Sequence, residues 1–132
     1  MACKYGSHRV LEPKGVLPQP ALRLDNDFST IADNEVLVDV KALNIDSASF
    51  TQIEEEAGGD LSKIEQKILS IVAERGKMQN PVTGSGGMFI GTVAKIGPAL
   101  AGRDLKVGEK IASLVSLSLT PLKIERIVKI HP

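Results

Sequence analysis

The sequence predicts a mixed α+β fold, mainly β with helices, built as a partly open β-barrel with one amphipathic helix at about residues 61–75. Three observations lead there. Val36, Val38, Val40 and Ala42 alternate with Leu37, Asp39, Lys41 and Leu43, the period of two that buries one face of a strand. Leu61, Ile64, Ile68, Ile71 and Val72 recur at three- and four-residue steps, which line up on one side of a helix. Gly91–Gly97 and Leu105–Ile111 then read as further strand-forming segments separated by turn residues, a hairpin-like order rather than alternating βαβ.

Taken in order, the opening segment holds Pro13, Pro18 and Pro20, which remove backbone donors and fix φ, so it is expected to lie extended along a surface or as an edge. Arg9–Glu12 fits a short strand there. The helix is expected to open with Ser62 and Glu65 as a capping box and to stop at Gly76, with Lys77 placed as a cation at the negative end of the dipole. Asn80–Gly87 follows as a loop whose glycines permit close approach of backbone to a ligand. Phe89–Ile96 reads as a strand and Gly97-Pro98 as a turn, and Lys106–Glu109 is a tight turn feeding a strand over 110–117. Leu122–Ile127 stays open: Thr120-Pro121 resembles the start of a helix, and the β-branched residues after it favour a strand.

Composition removes several functional classes. The 132 residues, 42% hydrophobic and 24% charged, suit one domain with its own core. Lys plus Arg and Asp plus Glu number 16 each, so there is no surplus of positive charge to engage phosphates, and nucleic acid is not an expected partner. Aromatics at 3% leave the core to Val, Ile and Leu. No apolar run approaches the roughly 18–20 residues that span a bilayer, and the charges and prolines of the first 20 positions do not suit a signal peptide. Neither membrane nor export is expected. A single cysteine, Cys3, excludes an internal disulfide and a thiolate cluster, in keeping with a reducing cytoplasm.

Familiar cofactor motifs fail on inspection. Gly84 and Gly86 begin a dinucleotide fingerprint, but its third glycine would fall at Phe89 and the glycines precede a strand where a helix is required. Gly76-Lys77 leads into Met78, so no phosphate-binding loop is formed. His8 and His131 stand in no metal-ligand spacing and read as surface residues.

Asn34–Asp46, Gly91–Gly97 and Leu105–Ile111 together resemble the GroES-like substrate domain of medium-chain dehydrogenases. Zinc-dependent members carry a cysteine ligand after the first of these strands and a histidine-glutamate pair before the second; the aligned positions here are Asp46, Gly87 and Met88, so the chain resembles a zinc-free branch. More specifically, Cys3–Val10, Asn44–Gly58, Met78–Met88 and Leu114–Pro121 closely resemble the L-erythro-3,5-diaminohexanoate dehydrogenase family, over essentially all 132 residues. The resemblance implies oxidative deamination of a small diamino acid at carbon 3 in lysine fermentation, with NAD as cofactor, no zinc, and a homodimer as the full-length enzyme. It also implies that the NAD-binding Rossmann domain lies beyond Pro132, so that the isolated chain is inactive.

An amine of pKa roughly 10 is protonated at neutral pH, so such a site must take up a proton and then stabilise a cationic iminium. The resemblance puts Asp46 in that catalytic position, with Glu54 or Glu55 helping to hold the substrate ammonium groups; Ser47, Ser49, Thr83 and Ser85 supply hydrogen bonds, and Gly86 and Gly87 form the substrate loop. Tyr5, His8 and Arg9 are candidates to clasp the substrate carboxylate, against an equally sound reading of a mobile terminus. Read without the resemblance, Asp46 is a residue capping a turn, the glutamates are a solvated acidic face, and the glycine loop is a flexible crossing. Two other functions stand beside the dehydrogenase: a stand-alone GroES-like binding module, and the substrate domain of a zinc-free quinone reductase.

Overall fold

The computed structural model describes residues 3–132. Among the described residues five strands and two helices follow one another as β1 (Val10–Glu12), β2 (Arg23–Leu24), β3 (Val36–Ile45), α1 (Ser47–Glu56), α2 (Leu61–Arg75), β4 (Gly87–Ile96) and β5 (Lys110–Ser113), with 3-10 turns before β1, between β4 and β5, and after β5. β1 and β2 pair antiparallel, and β3, β4 and β5 form a second antiparallel sheet in that order. Neither sheet closes on itself, so the α+β class holds with its barrel left partly open. Among the described residues no helix is long and apolar enough to cross a membrane.

The α2 stripe forms the centre of the core. Ile64, Ile68, Ile71 and Val72 are buried with Ile53 of α1, Met78, Phe89 of β4, Leu117 and Leu122, and each such aliphatic side chain contributes about 1.5–3 kcal/mol by leaving water. The helix spans the predicted residues, but its N-cap is Asp60, whose carboxylate accepts from the amides of Ser62 and Lys63. Ser62 therefore sits inside the first turn and the expected capping box does not form. Gly76 ends the helix in the left-handed conformation at φ 67°. Its Cα hydrogen also faces the Leu24 carbonyl oxygen, which a Cβ would meet at 1.9 Å, so α2 can dock against β2 only through glycine.

Lys77 follows the end of α2 as expected, but its side chain is turned inward. It is 0% exposed, and its Nζ donates to the carbonyls of Pro18 at 2.8 Å and Gln19 at 3.2 Å. Burial pushes its pKa down to about 8. The proline-rich segment is thus tied to the base of α2 by a side chain that local sequence would place in water.

β3 does not bury one alternating face as its pattern predicts. A bulge between Val40 and Ala42 inserts an extra residue, and the register runs Val38 to Val93, then Ala42 to Ile90 and Leu43 to Phe89. Val38 faces the core before the bulge and Leu43 and Ile45 face it afterwards, because one inserted residue reverses the parity of a strand. Ala42 consequently faces outward beside the exposed Ile90. β5 stops at Ser113 rather than 117, and residues 120–132 form neither helix nor strand. The segment 47–56, whose glutamates read as a solvated acidic face, is helix α1.

The start of β3 is fastened by charge. Glu35 accepts from Arg9 through Nε and Nη2, both at 2.8 Å, from His8 Nε2 at 2.9 Å and from the Ala32 amide at 2.7 Å. The Cys3 amide donates to His8 Nδ1, which leaves Nε2 as the donor toward Glu35. Arg9 is buried and also donates to the Asp27 carbonyl. It is a structural ion-pair partner, not a free clasp for a substrate carboxylate, and His8 is half-buried rather than a surface residue.

Replacing Gly76 by alanine is expected to destabilise the protein by about 2 kcal/mol or more, since a left-handed alanine is strained and its methyl meets backbone; urea unfolding measures it. Hydrogen bonds from Arg9, with smaller help from Ala32 and His8, hold the Glu35 pKa at about 2. A carboxylate depressed on folding contributes stability in full above its ordinary pKa of 4.5 and loses it as pH falls toward 2. Glu35→Gln should therefore flatten the acid limb of a stability-against-pH curve between those values, leaving the neutral-pH shape unchanged.

Candidate functional site

Asp46 stands where β3 ends and α1 begins, and it is the N-cap of α1. Its Oδ1 accepts from the Ser49 amide at 2.8 Å and from Ser85 Oγ at 3.0 Å. Among the described residues no donor reaches Oδ2. One carboxylate oxygen is immobilised and the other is left to what approaches from outside. The capping reading of Asp46 is correct as far as it goes, and capping is also what fixes the carboxylate at the positive end of the α1 dipole.

The loop 80–87 brings the other groups to it. The hydroxyls of Ser49 and Thr83 lie 3.0 Å apart, those of Ser49 and Ser85 2.7 Å, and those of Thr83 and Ser85 2.8 Å. Ser49 Oγ also donates to the Ser85 carbonyl at 3.1 Å. Ser49 is fully buried and Thr83 is exposed, so the triangle runs from the interior to the surface. Asp46 and Ser47 also line one end of an open groove of about 1610 Å³ between β3 and residues 120–132.

Asn80 holds this arrangement together. At 1% exposure its Nδ2 donates to the Ser49 carbonyl at 3.3 Å and to Gln52 Oε1 at 2.9 Å, while its Oδ1 accepts from the Val82 amide. Its backbone closes the loop, donating to the Ser85 carbonyl and accepting from the Gly84 amide. The loop is therefore a tied turn and not a flexible crossing. A Cβ on Gly86 would meet the Met78 carbonyl at 2.6 Å, and one on Gly87, at φ 143°, would meet the Asn44 carbonyl at 2.0 Å. Gly87 lets the loop press against the end of β3, where the Asp46 amide donates to the Gly86 carbonyl, and Gly86 lets it pass close to Met78 and Ser118.

The structure thus brings together Asp46, Ser49, Thr83, Ser85, Gly86 and Gly87. Ser47 is exposed in the first turn of α1 beside them. Glu54 and Glu55 are not brought to Asp46: they lie in the last turns of α1, about 12 Å along the axis at 1.5 Å per residue. Glu56 is held there by Lys67 at 3.3 Å and by Gln52. Asn80 and Gln52 were missed as site residues. The missing step was α1 itself, legible in Asp46 as an N-cap followed by Phe50, Ile53 and Ala57 at helical spacing.

The donors around Asp46 are one carboxylate and neutral hydroxyls, a hard oxygen set with no thiolate or imidazole, which does not fit zinc. Among the described residues no three His, Cys, Asp or Glu side chains converge. The glycine loop is no Rossmann turn, because both sheets are antiparallel and the loop opens a strand, not a helix.

Residues 8–132 match the family described as L-erythro-3,5-diaminohexanoate dehydrogenase N-terminal domain. The chain is 71% identical over 131 residues to L-erythro-3,5-diaminohexanoate dehydrogenase of Acetoanaerobium sticklandii, and equally to that of Fusobacterium nucleatum. The match covers 98% of this chain and 38% of each relative.

Asn80→Ala removes the side-chain bonds from the loop to the Ser49 carbonyl and Gln52 and leaves buried partners unsatisfied. It is expected to cost about 2 kcal/mol and to speed amide exchange at Val82 well beyond that of α2, as hydrogen-deuterium exchange would read directly.

Proposed function

Because this chain belongs to the family of L-erythro-3,5-diaminohexanoate dehydrogenase N-terminal domains, we propose that it is the substrate domain of an NAD-dependent amine dehydrogenase. The full-length enzyme oxidatively deaminates L-erythro-3,5-diaminohexanoate to 5-amino-3-oxohexanoate in lysine fermentation. NAD supplies the hydride acceptor and is held by the remainder of the enzyme, a zinc-free member of the medium-chain dehydrogenase superfamily whose GroES-like part is this chain. A cytoplasmic homodimer is the proposed setting.

The observation that carries this reading is the single fixed carboxylate of Asp46, with Oδ1 held by two donors. Oxidation of an alcohol gains from a Lewis acid that stabilises alkoxide, whereas a neutral amine expels hydride with its own lone pair. The site then needs a base for the ammonium proton and an anion for the iminium. Asp46 takes the ammonium proton through Oδ2 and, once that proton has passed to water, faces the iminium as the anion; its cap and Ser85 bonds keep it oriented. The two amino groups of the substrate lie within about 5 Å of one another by ordinary bond lengths. Glu54 or Glu55, about two turns along α1 from Asp46, holds the second in this reading.

The alternatives have less support. A quinone calls for a flat apolar slot, and the surroundings of Asp46 are hydroxyls. Relatives named as dehydrogenases, of which this chain spans 38%, favour the enzyme over a stand-alone binding module.

Asp46→Asn in the full-length enzyme is expected to lower kcat about 100-fold or more, the usual worth of a general base, with the fold intact because asparagine also caps helices. Steady-state kinetics with the diamino acid and NAD test this, and turnover at the wild-type rate would remove Asp46 from the role.

A further inference from the structure

Gly86 and Gly87 are hemmed in by neighbouring backbone, but a Cβ on Gly84 would meet nothing within 4 Å. Gly84 sits at φ 73°, in a region that glycine enters and leaves freely. Packing therefore does not fix the peptide between Gly84 and Ser85, and Ser85 carries the hydroxyl that holds Asp46. Hydrogen bonds fix it instead.

The Gly84 amide donates to the Asn80 carbonyl at 2.7 Å, and the Gly84 carbonyl accepts from Gln79 Nε2 at 3.2 Å. Gln79 is buried, and its whole amide is used. The second Nε2 hydrogen goes to the Gln19 carbonyl at 3.3 Å, and Oε1 accepts from Arg75 Nη1 at 2.9 Å. The guanidinium offers only hydrogens and the two carbonyls only lone pairs, so the amide has one orientation that serves all three. The Arg75 charge also polarises that amide, which strengthens its donation at the far end.

We propose that Gln79 is a positioning residue for the deamination: by gripping the Gly84 carbonyl it sets the 84–85 peptide, and through it the Ser85 hydroxyl that orients Asp46. This rests on Asp46 being the base. In a trans peptide the carbonyl and the following N–H point in opposite directions. With its carbonyl turned to Gln79, the peptide therefore aims the Ser85 amide at the Thr83 hydroxyl, 3.4 Å away. The hydroxyl cluster receives a donor on that side, and Ser85 Oγ is left to donate to Asp46 Oδ1. Once released, the peptide can turn over. The Gly84 carbonyl then stands where the amide stood, an acceptor that draws hydroxyl hydrogens away from the carboxylate.

Gln79→Met removes the grip, and Gln79→Glu keeps the size and the Arg75 contact while turning two donors into acceptors that face two carbonyls. In full-length enzyme with the diamino acid and NAD, each is expected to lower kcat about tenfold, the kinetic equivalent of one hydrogen bond to a charged group. KM for NAD should not change. Ser85→Ala should lower kcat by a similar factor, and adding Gln79→Met to it should cost nothing further, because both act through one hydroxyl. A merely structural role would lower the unfolding midpoint and give kinetic losses that multiply. Wild-type kcat in folded Gln79→Met and Gln79→Glu enzymes, or a loss that multiplies with that of Ser85→Ala, overturns the proposal. If Asp46→Asn is slow in the same assay, the base assignment survives that failure; if Asp46→Asn turns over at the wild-type rate, both fall.

Discussion

The site depends on one polar seam between the N-terminus of α1 and the loop 80–87. Asp46 caps the helix and binds Ser85, and Asn80 crosses the seam in the other direction to the Ser49 carbonyl and Gln52. Each of these groups is buried or half-buried, where an unmet hydrogen bond costs far more than a met one gains. The seam therefore has few half-formed alternatives, and the carboxylate it orients is held through one oxygen by the Ser49 amide and the Ser85 hydroxyl.

Around the seam the molecule fastens irregular backbone with buried charge. Arg9 and Glu35 join the opening segment to β3, and Lys77 joins the prolines at 18 and 20 to the base of α2 through the Pro18 and Gln19 carbonyls. Irregular segments cannot satisfy their own carbonyls as a helix or sheet does. A long side chain with several donors reaches them from a neighbouring element, and the fixed ends of β3 and α2 in turn set where Asp46 and Asn80 begin.

Particular residues show how far the sequence could be read. The α2 stripe at 64, 68, 71 and 72 and the glycine stop at 76 were legible because helix periodicity and a left-handed cap are local properties. Asp46, Ser49, Thr83, Ser85, Gly86 and Gly87 were legible as a group from the resemblance of their segments to a family, and the fold brings them together. Glu54 and Glu55 were not separable from that group without α1, since a loop could have folded them back and a helix carries them away. The inward face of β3 was misread past Val40 because a bulge arises from pairing with β4, and no residue within β3 announces it.

The sequence by itself determined the α+β class, the extent of α2 and the family, all of which reside in local pattern or in residue identity. Only the tertiary structure decided that Lys77 and Arg9 are buried, that one oxygen of Asp46 is held and the other open, and that three hydroxyls meet beside it. Those facts turn on which distant carbonyls and amides remain unpaired after packing, a quantity set jointly by all the elements and by no segment alone.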